Sequence, residues 1–309
     1  MTKTYIVDAF TTERFKGNPA AVCLIPEILP DETYLKIAAE FNLSETAFPV
    51  PLDSSADYKT CSKFSLRWFT PKTEFPLCGH ATLATSHVLF NEIGNVNDEI
   101  HYETMSGVLK VSKDEKGNVE MNFPKYELVE LEGLGPQKGY PKISAPEFLL
   151  DVIHCVVPKT ISIVSVLYAP EARFLIVIID PNTTRSECEA LKLNSSRALE
   201  LHDGSFVRDM SITLRPFNPL EQGFVDSSGK PYDYTCRCFG PWDGVNEDPA
   251  TGSAQCAMAP YWSKITGKKE LYAYQAFPTR GAQFRIRLQD DRVILNGSSV
   301  TVLRGEFNL

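Results

Sequence analysis

Four side chains in this 309-residue chain combine a suitable type with a suitable setting for moving protons: Glu45, His80, Asp248 and Ser253. Glu45 stands among Leu43, Ala47 and Phe48. An ordinary surface glutamate is solvated, but an apolar setting suits a carboxyl group that must take up a proton and return it near neutral pH. His80 follows Gly79 at an expected helix start, where a neutral imidazole could donate to a substrate oxygen or relay a proton. Its bland alternative is a half-buried histidine satisfied by backbone. Asp248 precedes Pro249, which biases it to an extended conformation. It is either a helix-start acid favoured by the dipole, or a group that orients His80 or accepts a proton from a substrate hydroxyl or amine. Ser253 either caps the helix that follows or, with the neighbouring N–H groups, holds a carboxylate.

The elements that must position these groups are announced by an internal echo. Glu74-Phe75-Pro76-Leu77-Cys78-Gly79-His80-Ala81 and Glu247-Asp248-Pro249-Ala250-Thr251-Gly252-Ser253-Ala254 carry Glu, Pro, Gly and Ala in one register. Upstream, Arg67-Trp68-Phe69-Thr70-Pro71 is echoed as R-x-F-x-P by Arg215-Pro216-Phe217-Asn218-Pro219. Two motifs repeated in the same order indicate a duplication into two domains of roughly 150 residues each. Each Pro-x-x-Gly stretch should open a helix, and a helix start presents unpaired N–H groups and partial positive charge to an anion. Gly79 and Gly252, with Ser253, are therefore the expected carboxylate-binding positions, and the two helix starts are expected to face one cleft.

Composition narrows the function class. A net charge of −8 without a basic run argues against nucleic acid or an anionic membrane surface as partner. No stretch of about 18 apolar residues exists and the first residues enter a strand, so the expected location is the cytoplasm. Neither G-x-G-x-x-G after a strand nor G-x-x-x-x-G-K-[ST] occurs, so no cofactor is expected. The eight cysteines lack regular spacing and read as buried thiols. Cys236-Arg237-Cys238 lacks zinc-knuckle spacing, and no metal is expected.

Along the chain, strands are expected near 5–10, 20–25, 44–50, 64–69, 99–104, 107–113 and 118–123. A helix capped by Asp31 should run to Phe41 and stop at Asn42. A helix over 81–90, apolar nearly all round, should be buried. The Gly- and Pro-rich segment 124–146 reads as a linker. Strands at 161–166, 174–179 and 211–217, a helix over 190–201, an irregular excursion over 220–246, a buried helix over 254–262 and strands near 282–289, 292–296 and 299–304 complete the second half.

At Val7-Asp8-Ala9-Phe10, Phe15-Lys16-Gly17-Asn18-Pro19-Ala20-Ala21-Val22, Leu43-Ser44-Glu45-Thr46-Ala47-Phe48, Leu77-Cys78-Gly79-His80-Ala81-Thr82 and the 67–71 and 247–254 motifs, the sequence resembles the PhzF-like (phenazine-biosynthesis F) family. The resemblance implies a diaminopimelate-epimerase-like α+β fold. Two pseudo-symmetric lobes each wrap a curved, mostly antiparallel, barrel-like sheet around a central helix. The lobes are expected at 1–127 and 128–297, with the strand 298–309 packing back on the first. The family's best-known member is a cofactor-free isomerase that shifts a proton and double bonds on trans-2,3-dihydro-3-hydroxyanthranilate. Its catalytic glutamate falls on Glu45, and its supporting residues fall on His80, Asp248 and Ser253. A small carboxylate-bearing substrate is implied, and a homodimer is compatible with the sequence. Amino-acid epimerases of this architecture use two opposed cysteines. Cys78 fills the first place and Thr251 the second, so two-thiol racemisation is disfavoured and Cys78 reads as packing. A racemase using Cys78 and a non-catalytic binding protein on the same scaffold remain the competing readings.

Overall fold

The computed structural model describes residues 1–53, 57–114, 118–135 and 139–309, which form two compact units. Unit 1 comprises Met1–Phe123 and Ile294–Leu309, and unit 2 comprises Pro124–Val293. The fold is mixed α+β, dominated by strands and with few helices.

Unit 1 begins with β1 (Thr2–Ala9) and β2 (Asn18–Cys23), an antiparallel pair. The connection turns at Gly17, whose φ of 61° and close approach to the Ala9 carbonyl leave no room for a Cβ. Helix α1 (Asp31–Phe41) leads to β3 (Glu45–Pro51), which lies parallel to β2. Strand β4 (Lys63–Phe69) and the two-residue β5 (Glu74–Phe75) add antiparallel neighbours. After α2 (Gly79–His87) come β6 (Glu99–Thr104), β7 (Gly107–Lys113) and β8 (Val119–Pro124). The C-terminal strand Ser299–Phe307 pairs antiparallel with β1.

Two details depart from the sequence expectation. Asp31 does not cap α1: Pro30 occupies the cap, and the Asp31 carboxylate instead pairs with Arg67 at 2.8 Å. The buried helix is longer than 81–90, because α2 continues as a π-helical turn, Val88–Ile93, that ends at left-handed Gly94. Residues 79–86 of α2 are all buried, so the helix has no wet face. Its hydroxyls are satisfied internally: Thr82, Thr85 and Ser86 donate to the carbonyls of Cys78, Ala81 and Thr82 at 2.6, 2.8 and 2.8 Å.

Unit 2 repeats this plan. The segment read as a linker carries β9 (Val129–Glu132) and β10 (Lys142–Ser144), paired parallel, so it is sheet rather than connection; residues 136–138 within it lie outside the described residues. Helix α3 (Leu149–His154) precedes β11 (Ile163–Ala169) and β12 (Phe174–Ile179). The helix expected over 190–201 is two helices, α4 (Arg185–Ala190) and α5 (Ser195–Leu201), because Asn194 caps a fresh start by accepting the Arg197 N–H. Strand β13 (Asp209–Leu214) lies parallel to β12.

The expected excursion over 220–246 is mostly ordered. The short α6 (Pro219–Gln222) is followed by β14 (Tyr234–Gly240), a strand buried at every residue, and by β15 (Val245–Asp248). Arg237 in mid-strand makes this segment read as a loop. It is satisfied inside by Glu247 and by the carbonyls of Cys188 and Leu191 at 2.6 and 3.1 Å. Helix α7 (Gly252–Thr266) extends beyond 262 and keeps Pro260 within it. Strand β16 (Glu270–Gln275), absent from the sequence expectation, and β17 (Ala282–Gln289) follow, then Arg292–Gly297.

Pairing in the two units corresponds strand for strand. In unit 1, β1–β2 is antiparallel, β2–β3 parallel, β3–β4 and β4–β5 antiparallel, β4–β6 parallel and β6–β7 antiparallel. The same sequence of pairings runs through β11–β12, β12–β13, β13–β14, β14–β15, β14–β16 and β16–β17. This corrects the upstream echo: β14 is the equivalent of β4, so the counterpart of Arg67-Trp68-Phe69-Thr70-Pro71 is Arg237-Cys238-Phe239-Gly240-Pro241. The similar run at Arg215 is a chance match, and its Phe217 is 81% exposed.

Candidate active site

In unit 1, an arginine clamp fixes the approach to α2. Arg67 donates to both oxygens of Glu74 at 2.6 and 2.5 Å, and its guanidinium lies over the rings of Tyr34 and Phe69. The chain then reaches Cys78, the cap residue, in an extended conformation with no side-chain cap bond. The first intrahelical bond is made by the Thr82 N–H, so the N–H groups of Gly79 and His80 are not used by the helix.

Glu45 opens β3, opposite Ala20 of β2, and His80 is the second residue of α2. Both are buried, at 7% and 4% exposure. Glu45 Oε2 lies 3.1 Å from His80 Nε2, yet this oxygen accepts no aligned hydrogen bond. We read the contact as an ion pair whose carboxylate keeps a free lone pair. Ser44 Oγ stands 3.3 Å from the same imidazole nitrogen, and it also donates to Asn18 Oδ1 and the Pro19 carbonyl. On the other side of the ring, Cys78 Sγ is 3.4 Å from Nδ1.

The charge states follow. Burial disfavours a charged imidazole, but the Cys78 sulfur and the Glu45 carboxylate outweigh it and raise the His80 pKa well above its ordinary value. Burial and then Glu45 push the Cys78 thiol up, away from the thiolate. The setting therefore favours a charged His80 over the neutral imidazole expected, and Cys78 is in polar contact with the ring as well as buried.

Glu45, Cys78 and His80 offer ligand atoms within 4.8 Å of one another. They do not suit one metal ion, because the imidazole turns Nε2 to Glu45 and Nδ1 to Cys78, and a single ion binds one nitrogen.

In unit 2, the equivalent clamp is bidentate from Arg237 to Glu247, with Nη2–Oε2 at 2.7 Å and a second bond from Nε. Asp248 ends β15 opposite Cys238. Its carboxylate accepts the Thr251 hydroxyl at 2.6 Å, and its carbonyl accepts Gln275 Nε2 at 2.6 Å. Gln275 Oε1 in turn accepts the Thr251 N–H at 2.8 Å. Thr251, not Ser253, is the cap residue of α7, and its hydroxyl is turned to Asp248 instead of to the helix. Gly252 is buried and Ser253 half-buried in the first turn.

The structure thus gathers Glu45, Gly79 and His80 in unit 1, and Asp248, Gly252 and Ser253 in unit 2. Sequence reasoning missed Ser44 and Gln275 and underrated Cys78. Ser44 was adjacent to Glu45 and could have been found; nothing in the sequence flags Gln275.

Among the described residues, no helix is long and apolar enough to cross a membrane. The model of a family described as phenazine biosynthesis-like protein matches residues 7–305. A mouse phenazine biosynthesis-like domain-containing protein is 39% identical over 302 residues, covering 97% of each chain. A protein of Halalkalibacterium halodurans named an uncharacterized isomerase is 39% identical over 312 residues, covering 100% of this chain and 99% of the other. The crystal structure of a PhzF-family phenazine biosynthesis protein from Enterococcus faecalis superposes with a TM-score of 0.77 at 31% identity, covering 100% of this chain and 99% of that one.

Proposed function

Since the chain belongs to the phenazine biosynthesis-like family, whose relatives include a named isomerase, we propose that it is a cofactor-independent isomerase that shifts a proton on a small carboxylate-bearing substrate. The observation that carries the proposal is the buried Glu45 carboxyl group, one oxygen of which accepts no aligned hydrogen bond and lies 3.1 Å from the His80 imidazole.

Glu45 is the general base that removes a proton from carbon and the general acid that returns it. His80 faces the Glu45 carboxyl at 3.1 Å. When Glu45 is protonated, His80 supplies fixed positive charge for the anion developing on the substrate. The N–H groups of Gly79 and His80 at the start of α2 suit the substrate carboxylate. In unit 2 we assign Asp248 to a substrate hydroxyl or amine, and Gly252 and Ser253 to anion binding at the start of α7. The Thr251 and Gln275 bonds hold Asp248 in place for that task.

The competing racemase reading draws on the Cys78–His80 contact. It needs a thiolate, and the raised thiol pKa works against one. Solvent-deuterium wash-in across a panel of small unsaturated and amino carboxylic acids tests both. Exchange that depends on Glu45 supports the isomerase, exchange that depends on Cys78 supports the racemase, and no exchange with any acid supports a binding protein.

A further inference from the structure

Unit 1 holds a polar cavity of about 310 Å³ away from Glu45. Its polar wall is Thr12 from the β1–β2 connection, His87 and Asn91 from the far end of α2 and the turn that continues it, Asn118 just before β8, and Ser298 and Ser299 where the last strand begins. The volume is at the low end for small-molecule sites. His87 lies seven residues beyond His80, about 10 Å along the helix at 1.5 Å per residue. The cavity is therefore distinct from the candidate active site.

Most of these side chains spend their hydrogen bonds within the wall. Asn91 Nδ2 donates to His87 Nδ1 at 3.0 Å, so the ring proton sits on Nε2, which donates to Thr301 Oγ1 at 3.0 Å. The Thr301 hydroxyl donates to Glu92 Oε1 at 2.6 Å, and Glu92 pairs with Arg304. Ser298 Oγ donates to Asn118 Oδ1 at 2.7 Å. Ser299 is the exception. Its backbone pairs with Ala9, and its Oγ is buried without a hydrogen-bond partner. A buried hydroxyl in that condition is costly and calls for a reason.

Charge decides what fits. Among the described residues, no Asp, Glu, Lys or Arg lines the cavity. Burial holds the His87 pKa below its ordinary value, which keeps the ring neutral. The charges behind the wall are engaged: Glu92 by Arg304, Asp114 by the amides of Asn118 and Asn296, and Arg14 by the Thr301 carbonyl at 3.3 Å. A charged ligand would find no opposite charge to offset its desolvation. A ligand hydroxyl both gives and accepts a hydrogen bond, which is what Ser299 Oγ lacks. The His87 ring, Val119 and Val300 offer apolar surface to a carbon skeleton. We propose that this cavity is a binding site for a neutral, polyhydroxylated small molecule of monosaccharide size, one hydroxyl of which bonds Ser299 Oγ.

The test is backbone- and side-chain-amide NMR of the full chain titrated with glucose, and in parallel with glucuronate and glucosamine, its anionic and cationic counterparts. Glucose should give saturable shifts at the amides of 118–119 and 297–300 and at the Asn91 side chain. Its Kd should be about 1–10 mM, ordinary for a neutral ligand of about a dozen heavy atoms, and both charged sugars should bind more weakly. Ser299→Ala removes the hydroxyl while the backbone pairing with Ala9 remains, and should weaken the glucose Kd by about three- to tenfold. If that variant does not fold, Asn91→Ala, at an exposed position, should weaken it in the same direction. Absence of saturable shifts at these amides, equal binding of the charged sugars, or a Kd indifferent to the variant overturns the proposal. Glu45→Gln should bind glucose as the wild type does, and the amides of Gly79 and His80 should stay in place. Shifts centred on 79–80 would put the sugar at the candidate active site and overturn the proposal as well.

Discussion

At the scale of single residues, the ion pair between Glu45 and His80 sets the expectations. Glu45→Gln keeps size and hydrogen-bonding reach but cannot carry a proton between carbons. It should lower deuterium wash-in by about 10²–10⁴-fold, the usual worth of a general base. Cys78→Ala removes a neutral thiol beside Nδ1 and should cost less than about tenfold, well below the general-base range. The reverse order of effects would transfer the chemistry to Cys78. The pH dependence has a definite sign. His80 has a raised folded-state pKa, so its ion pair contributes stability fully below the unfolded value of about 6.5, and that contribution is lost as pH rises through the higher folded value. Wild-type thermal midpoints should therefore fall on the alkaline side of about pH 6.5 by more than those of Glu45→Gln. Equal slopes would show that the pair does not titrate as described. The segment around Glu45 was legible because an acid set among Leu43, Ala47 and Phe48 is unusual. The favoured charge on His80 was not, because the acid that faces it, Glu45, lies on a different element.

At the scale of elements, the arginine clamps show what was readable and what was not. The Glu-x-Pro-x-x-Gly echo is local and contiguous, so both helix starts could be placed from sequence. The arginine that holds each glutamate comes from another strand, and a chance R-x-F-x-P at Arg215 diverted the assignment. Strand β14 was missed because a fully buried arginine breaks the apolar pattern that marks a central strand. Its burial is explained only by Glu247 and two carbonyls, which no local pattern reveals. Arg237→Leu should leave Glu247 in a protected setting without its counter-charge and cost about 3–5 kcal/mol in denaturant unfolding, as for a broken buried pair. Arg67→Leu should cost less, because the Arg67 and Glu74 side chains are 22% and 19% exposed and water can replace part of the pair, whereas the Arg237 side chain is only 2% exposed. Equal losses would mean that burial does not set the strength of these clamps. Gly240→Ala should also destabilise, by about 1–3 kcal/mol for an overpacked site, because its new methyl meets the Asp209 carboxyl.

At the scale of the whole molecule, a duplicated α+β plan was legible from the paired motifs, and the strand-for-strand match of the two units is its structural counterpart. The discontinuity of unit 1 was expected only through the family resemblance. Pairing of Ser299–Phe307 with β1 joins positions as far apart as Thr2 and Phe307, and no periodicity reports such a partner. Truncation after residue 297 should therefore bare an edge of β1 and yield a chain that aggregates, read by light scattering, while unit 2 keeps its full set of strands. A truncated chain that stays monomeric with its native thermal midpoint would show that the strand is dispensable.

The same pairing gives synthesis an order. Strand β1 leaves the ribosome before every other element of the two units, yet the strand beside it emerges after all of them. Unit 2 is one unbroken stretch, 124–293, and is complete in the nascent chain before that partner emerges. Unit 1 must wait, with that edge of β1 unpaired, until Ser299–Phe307 has emerged. Closing so long a loop is slow but adds little further entropy cost per added residue. The molecule is therefore most exposed to misassembly during its own manufacture, and a nascent chain stalled before residue 299 should be cleaved by protease in unit 1 while unit 2 resists.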